Sequence, residues 1–158
     1  MNATSQYDFT IIVPIYNEKD NMARLEKTLA DYLPKAPMKS CVLLINDGSS
    51  DGSEQMIEEI CHRQPNFFFI SSSENHGLST AMKAGIDTVE SHYIGYIDGD
   101  LQTHPDDFTL LLNAAEGYQL VSGIRAKRKD SWLKKYQSKI ANGFARGPAT
   151  PPPIPAAH

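Results

Sequence analysis

Apolar residues cluster in four short runs, "FTIIV" (residues 9–13), "CVLLI" (41–45), "FFFI" (67–70) and "YIGYI" (93–97), with a fifth, "QLVSG", at 119–123. They are too uniformly apolar to leave one face in water, so each predicts a buried strand. Between them the period changes. After the first run, Asp20 can cap a helix that places Met22, Leu25, Leu29 and Leu33 on one face and stops before Pro34. After the second, Asp51 or Ser53 can cap a helix carrying Met56, Ile57 and Ile60. A third helix is expected over 78–90, and a fourth from Pro105, a favoured first helical position, presenting Phe108, Leu111 and Leu112. The order βαβαβαβαβ implies an α/β fold, a mostly parallel sheet wrapped by helices through right-handed crossovers.

Beyond the fifth run the pattern changes character. Trp132, Leu133, Tyr136, Ile140 and Phe144 fall at helical spacing within the basic stretch "SWLKKYQSKIANGFAR", which predicts an amphipathic helix with a basic face. The final "GPATPPPIPAAH" can form neither helix nor central strand. The expectation is one domain over 1–146 and a disordered Pro-rich tail over 147–158.

Size and composition narrow the class. A chain of 158 residues can bury a proper core. With 41% hydrophobic and 22% charged residues it reads as a soluble globular protein. A net charge of -4 argues against a dedicated nucleic-acid binder. Cys41 and Cys61 lack metal-ligand spacing and read as small buried hydrophobes in a reducing compartment. The N-terminus lacks the features of a signal peptide, and nowhere do about 18 apolar residues run together. The expected location is cytoplasmic, or peripheral on the cytoplasmic face of the inner membrane.

In an open parallel sheet, ligands bind beyond the carboxyl ends of the strands. Here those ends are acidic. The first run is followed by Pro14, Tyr16 and Glu18, the second by Asn46, Asp47, Gly48 and Ser49, and the fourth by Asp98, Gly99 and Asp100. Singly, each has an ordinary explanation: an acid in a first helical turn, a turn and cap cluster, a Gly-shaped turn. Together on one rim, carboxylates a few ångströms apart would repel by about 4 kcal/mol per pair at an effective dielectric of 20. A cation is therefore expected, Mg²⁺ or Mn²⁺, held by Asp98, Asp100 and an oxygen of Gln102 and sharing its remaining places with substrate phosphates. His76 and His104 are expected to be structural, and Lys83 to be a solvated helix residue.

The segments "VPIYNE", "INDGSSDGS", "NHGLSTAMKAGI", "YIDGDLQTHPDDF" and "VSGIRAKRKDSWLKKYQSKIAN", in this order, resemble the family 2 glycosyltransferases of GT-A fold. Within that family they are most like the polyprenyl-phosphate subgroup, which includes dolichol-phosphate mannose synthases and undecaprenyl-phosphate sugar transferases. The resemblance implies a GT-A fold whose C-terminal part is missing. It also implies inverting, metal-dependent transfer of a sugar from a nucleotide diphosphate sugar to a polyprenyl phosphate in cell-wall or lipopolysaccharide assembly. A UDP-sugar is favoured, with GDP-mannose as the other donor.

Carried over residue by residue, the resemblance implies that Pro14, Tyr16, Glu18, Ile45, Asp47, Asp98, Gly99 and Asp100 contact the nucleotide. Asp98, Asp100 and Gln102 would hold the metal, Asp98, Asp100 and Arg125 would serve catalysis, and Arg125, Lys134 and Ser138 would meet the acceptor phosphate. Gly99 stands where the subgroup commonly has alanine, and Lys134 where arginine is frequent. A non-catalytic nucleotide-sugar-binding fragment is the alternative expectation, with contact to a membrane surface and self-association through the apolar C-terminal helix as further ones. A phosphatase of similar layout would need a nucleophilic aspartate after the first strand, where this chain has "VPIYNE".

Overall fold

The computed structural model describes residues 4–123. They form β1 (Phe9–Ile15), α1 (Lys19–Tyr32), β2 (Ser40–Asp47), α2 (Ser53–Arg63), β3 (Phe67–Ser72), α3 (Leu78–Thr88), β4 (Tyr93–Tyr96) and α4 (Asp107–Asn113), with a 3-10 turn at Leu33–Lys35 closing α1. The strands pair in parallel in the order β3-β2-β1-β4. In register, Ile12 lies between Leu43 on one side and Tyr96 on the other.

Strand alternation sorts the core into two faces. Phe9, Ile11, Val13 and Ile15 of β1 join Met22, Leu25 and Leu29 of α1, Ile57 and Ile60 of α2 and Phe108 of α4. Ile12, Leu43 and Ile45 point the other way and meet Ala81 of α3. The result is three layers, with α1, α2 and α4 on one face and α3 on the other. Each large side chain hidden this way stabilises the fold by roughly 1.5–3 kcal/mol. α3 lies very close to the sheet because it presents Ala81 and, one turn later, Gly85. A Cβ on Gly85 would stand 2.3 Å from Ile45 Cδ1.

The chain steps from β1 to β2 to β3 in one direction, then returns across the sheet to place β4 on the other side of β1. At such a reversal of strand order a crevice opens beyond the carboxyl ends of the adjacent strands, and ligands of open α/β sheets bind there. Here that point lies between β1 and β4.

Several expectations need correction. The four main runs are strands, but only β2 is buried throughout, and β1 at every residue except Pro14. β3 and β4 alternate in exposure, with Phe69 at 38% and Ile94 at 42%, because each has one neighbouring strand among the described residues. The fifth run forms no strand among the described residues: 119–123 have no ladder partner there and Leu120 is exposed. Its two strongly apolar residues, Leu120 and Val121, are too short a run to enforce pairing. α3 ends at Thr88 rather than near 90, and α4 starts at Asp107 after a turn through Pro105. The first helix begins at Lys19 with Glu18 at its N-cap, so Asp20 sits inside the first turn and caps nothing. Leu33 falls in the 3-10 turn. Cys41 and Cys61 are free thiols, and burial pushes each up to about 11, in keeping with small apolar fillers. Among the described residues no helix is long and apolar enough to cross a membrane. The expected helix over 132–144 and the tail lie outside the described residues.

Candidate functional site

A cavity of about 270 Å³ occupies the crevice between the ends of β1 and β4. Pro14, Ile15, Tyr16 and Glu18 form one wall and Asp98, Gly99 and Asp100 another. Asp47 stands at the end of β2, and Asn75, Gly77, Leu78 and Ala81 close the side nearest α3. All the residues expected to contact nucleotide line this cavity except Ile45. That side chain is 3% exposed and packed beneath Gly85.

Three local constructions shape the walls. The first is the loop leading into α3. Both oxygens of Asp47 accept backbone hydrogen bonds, from His76 N–H and Gly77 N–H at 2.9 Å each. Gly48, at φ +67°, lets this loop approach: a Cβ there would lie 2.3 Å from the carbonyl carbon of Glu74. Asp47 and Gly48 thus fold residues 74–77 over the end of β2 and deliver Asn75 and Gly77 to the cavity. His76 takes part through its backbone.

The second construction joins the loop after β1 to the loop after β2. Asn17 N–H donates to Ser49 Oγ, and Ser50 N–H returns a bond to Asn17 Oδ1. Glu18 N–H donates to Ser53 Oγ. Asp51 accepts the first amides of two helices, Lys19 N–H of α1 and Ser53 N–H of α2, satisfying donors that helices leave open at their starts. The Ser53 hydroxyl, with these amides, holds the Asp51 carboxyl below its ordinary range. The segment "NDGSSDGS" is therefore a clamp on the loop that carries Tyr16 and Glu18, as well as the source of Asp47.

The third is the turn after β4. Tyr96 and Asp98, two apart along the chain, share a side, and the Tyr96 hydroxyl donates to Asp98. Burial first, then that bond to a carboxylate, pushes the phenol well above its ordinary value. Gln102 N–H donates to Asp100 Oδ1, and the Gln102 amide nitrogen to Asp100 Oδ2 at 2.7 Å. Gly99 is buried, and an added Cβ would meet Ile15 Cδ1 at 3.0 Å, Pro14 O at 3.4 Å and Glu18 Cγ at 3.6 Å. A small shift of Ile15 would admit the alanine that the resemblance implies.

The expectation of crowded carboxylates is met in part. Glu18, Asp47, Asp98 and Asp100 line one cavity, yet among the described residues no three acidic, histidine or cysteine side chains group closely enough to hold an ion. Each carboxylate instead has its own donor: Asn21 for Glu18, loop amides for Asp47, Tyr96 for Asp98, Gln102 for Asp100. Asp98 and Asp100 remain a fit to Mg²⁺ or Mn²⁺. Both offer hard oxygen donors to one cavity, and such ions commonly take one or two carboxylates and complete their shell with phosphate oxygens and water. Gln102, through its nitrogen, braces Asp100.

His104 lies by Asp106 before α4, its Nδ1 accepting from Asp106 N–H. Lys83 pairs with Asp87 on the exposed face of α3. Arg125, Lys134 and Ser138 lie outside the described residues. Asn75, Leu78 and Ala81 lie in the segment "NHGLSTAMKAGI", but nothing in the sequence singled them out as cavity residues; the long-range bonds of Asp47 bring the 74–77 loop and the start of α3 to the rim. Beside the cavity, a larger apolar concavity of about 440 Å³ is lined by Leu78, Met82, Ile86 and Tyr96, without a carboxylate.

Residues 10–156 match the family model Glycosyl transferase family 2, and the chain belongs to that family. Among curated relatives it is similar to the undecaprenyl-phosphate 4-deoxy-4-formamido-L-arabinose transferases of Edwardsiella ictaluri, at 30% identity, and Proteus mirabilis, at 31%. Each alignment takes in 85% of this chain and 42% of the relative, so the chain spans about two-fifths of the length of these relatives. Among solved structures it resembles Staphylococcus aureus TarS 1-349 in complex with UDP-GlcNAc, with a TM-score of 0.59 at 17% identity over 78% of this chain and 37% of that one. It also resembles the mannosyltransferase PcManGT of Pyrobaculum calidifontis in complex with GDP-Man and Mn²⁺, with a TM-score of 0.50 at 21% identity over 63% and 29%. At these identities the likeness speaks for the fold, which is that of the GT-A glycosyltransferases.

Proposed function

We propose that the cavity binds the nucleoside diphosphate of a nucleotide sugar, with UDP-sugars favoured over GDP-mannose. The reaction it serves is then inverting transfer of the sugar to a polyprenyl phosphate. The observation that carries this reading is the convergence of three separated segments, 14–18, 47–48 and 98–100, on one cavity at the reversal of strand order, in a chain of this family.

The chemistry suits such a site. A phosphate monoester has its second pKa near 6, so a lipid phosphate is already a dianionic nucleophile at neutral pH and needs no strong base. Its oxygen attacks the anomeric carbon as the bond to the nucleoside diphosphate breaks, and the pair of electrons leaves with the diphosphate. Asp98 and Asp100 would hold a divalent cation that, when bound, neutralises the leaving diphosphate. Glu18, Tyr16 and Asn75 wall in the donor, and Asp47 keeps the 74–77 loop in place around it. Arg125, Lys134 and Ser138 are the proposed contacts of the acceptor phosphate, on resemblance alone. The basic segment around them would rest on an anionic membrane surface at the cytoplasmic side and could bring two copies together.

A second reading is that this chain binds the nucleotide sugar without turnover. Both readings share one test, calorimetric titration of UDP and GDP with Mn²⁺ and with EDTA. UDP is expected to bind more tightly than GDP and more tightly with Mn²⁺. Asp100→Asn is expected to weaken the Mn²⁺-dependent binding at least tenfold, about 1.4 kcal/mol. Equal affinity in Mn²⁺, in EDTA and in the variant would remove the metal from the account. Formation of a glycosylated lipid from labelled UDP-sugar and polyprenyl phosphate in detergent separates the two readings.

A further inference from the structure

The turn that carries Asp98 and Asp100 adopts a conformation its own sequence disfavours. Leu101 has φ +53°, in the left-handed region that a bulky side chain rarely adopts and that persists only where the surroundings impose it. The bonds inside the turn, Leu101 N–H to Asp98 O at 3.0 Å and the two from Gln102 to Asp100, keep its shape but fix it to nothing else. Besides the Ile97 N–H bond to Ile12 O and the burial of Gly99 against Ile15, two side-chain contacts join it to the rest of the molecule. The Leu101 side chain packs against the core beneath α1 and α4. The other is Arg24 of α1, whose guanidinium donates to the carbonyl oxygen of Asp100.

That carbonyl belongs to the peptide unit between Asp100 and Leu101, whose orientation is set by the ψ of Asp100 and the φ of Leu101. Pinning it holds Leu101 in the left-handed region and fixes the direction in which Asp100 leaves the backbone. Among the described residues Arg24 is the only side chain outside residues 96–102 that hydrogen-bonds to the turn. It also reaches toward the opposite wall of the cavity: the same nitrogen faces Asn21 Oδ1 at 3.4 Å, and the Asn21 amide donates to Glu18 Oε2 at 2.6 Å.

We propose that Arg24 is a positioning residue for this site, holding the peptide between Asp100 and Leu101 so that the Asp100 carboxylate faces the cavity. The inference rests on the donor-site reading for its consequence and on the backbone geometry for its substance. An arginine acting only as a solvated surface charge would leave the turn unchanged when removed.

The test uses the full chain with Arg24→Met, which keeps length and apolar stem and removes every donor. Hydrogen exchange of peptides spanning 98–102 is measured in the free protein, and UDP is titrated with Mn²⁺ and with EDTA. Exchange in that segment is expected to rise at least threefold while the thermal midpoint and exchange elsewhere stay unchanged, and UDP affinity is expected to fall at least threefold in Mn²⁺ only. Unchanged exchange over 98–102, or a rise spread through the whole molecule, overturns the proposal. Should UDP bind neither parent nor variant, the donor-site reading fails, and the exchange data still decide the role of Arg24.

Discussion

Asp47 shows how a single side chain can line the cavity and also carry a task that the sequence does not reveal. From sequence it is a carboxylate beyond a buried strand, and the resemblance implies that it contacts the nucleotide. In the fold both of its oxygens already accept amides from His76 and Gly77, so its first effect is on the loop that supplies Asn75 and Gly77 to the cavity. Asp47→Ala removes two bonds to the part-buried N–H groups of His76 and Gly77, which should cost roughly 0.5–1.5 kcal/mol each. The measurement is urea unfolding together with hydrogen exchange over 74–77, and exchange in this loop is expected to rise most. An unchanged unfolding midpoint with a loss of UDP binding would instead make Asp47 a base contact alone. No local pattern in the sequence reveals these bonds, because their partners are 29 and 30 residues away.

Elements were legible where their pattern was strong and local. β1 and β2 are uniformly apolar, and α1 and α2 keep their apolar faces, so their presence followed from periodicity alone. Misses arose where neighbours decide: the 119–123 run has no pairing partner among the described residues, and β3 and β4, with one neighbouring strand each among them, are half exposed. Gly95 in β4 makes the point energetically. By strand preference, Gly95→Val should gain something under about 1 kcal/mol. Here a Cβ would stand 2.5 Å from Phe9 Cζ and 2.8 Å from Phe108 Cε1, two rings in an edge-to-face pair. Overpacking of this kind costs about 1–3 kcal/mol, so Gly95→Val is expected to lower the thermal midpoint, and a raised midpoint would contradict the packing.

α1 and α2 are also tied by charge. Arg63 donates twice to Glu26, at 2.8 and 2.7 Å, and this pairing holds the Glu26 carboxyl below the ordinary carboxylate range. A depressed folded value contributes stability that is complete above the unfolded value and is lost as pH falls through the folded one. The stability difference between parent and Glu26→Gln is therefore expected to shrink as pH falls below about 4.5. Urea titrations at pH 7 and pH 3 that show the same difference at both would contradict the tie.

At the scale of the whole molecule, the strand order matters more than any motif. The alternation of strands and helices in the sequence implied a parallel sheet but left open which strands are neighbours. Only the return of β4 to the far side of β1 sets Asp98 and Asp100 across from Tyr16 and Glu18 and opens a cavity between them. The acidic strand ends were visible beforehand, whereas their separate hydrogen-bond partners were not, since those depend on loops brought together by the fold. The most direct test of the central claim, that this cavity is the nucleotide-sugar donor site, is paramagnetic broadening of backbone amide signals by Mn²⁺ with UDP. The account predicts that Tyr16, Gly77, Gly99 and Asp100 broaden together, and that replacing Mn²⁺ with Mg²⁺ restores sharp but shifted signals at the same residues. Broadening centred elsewhere, or none with UDP and Mn²⁺ present in excess, would contradict it.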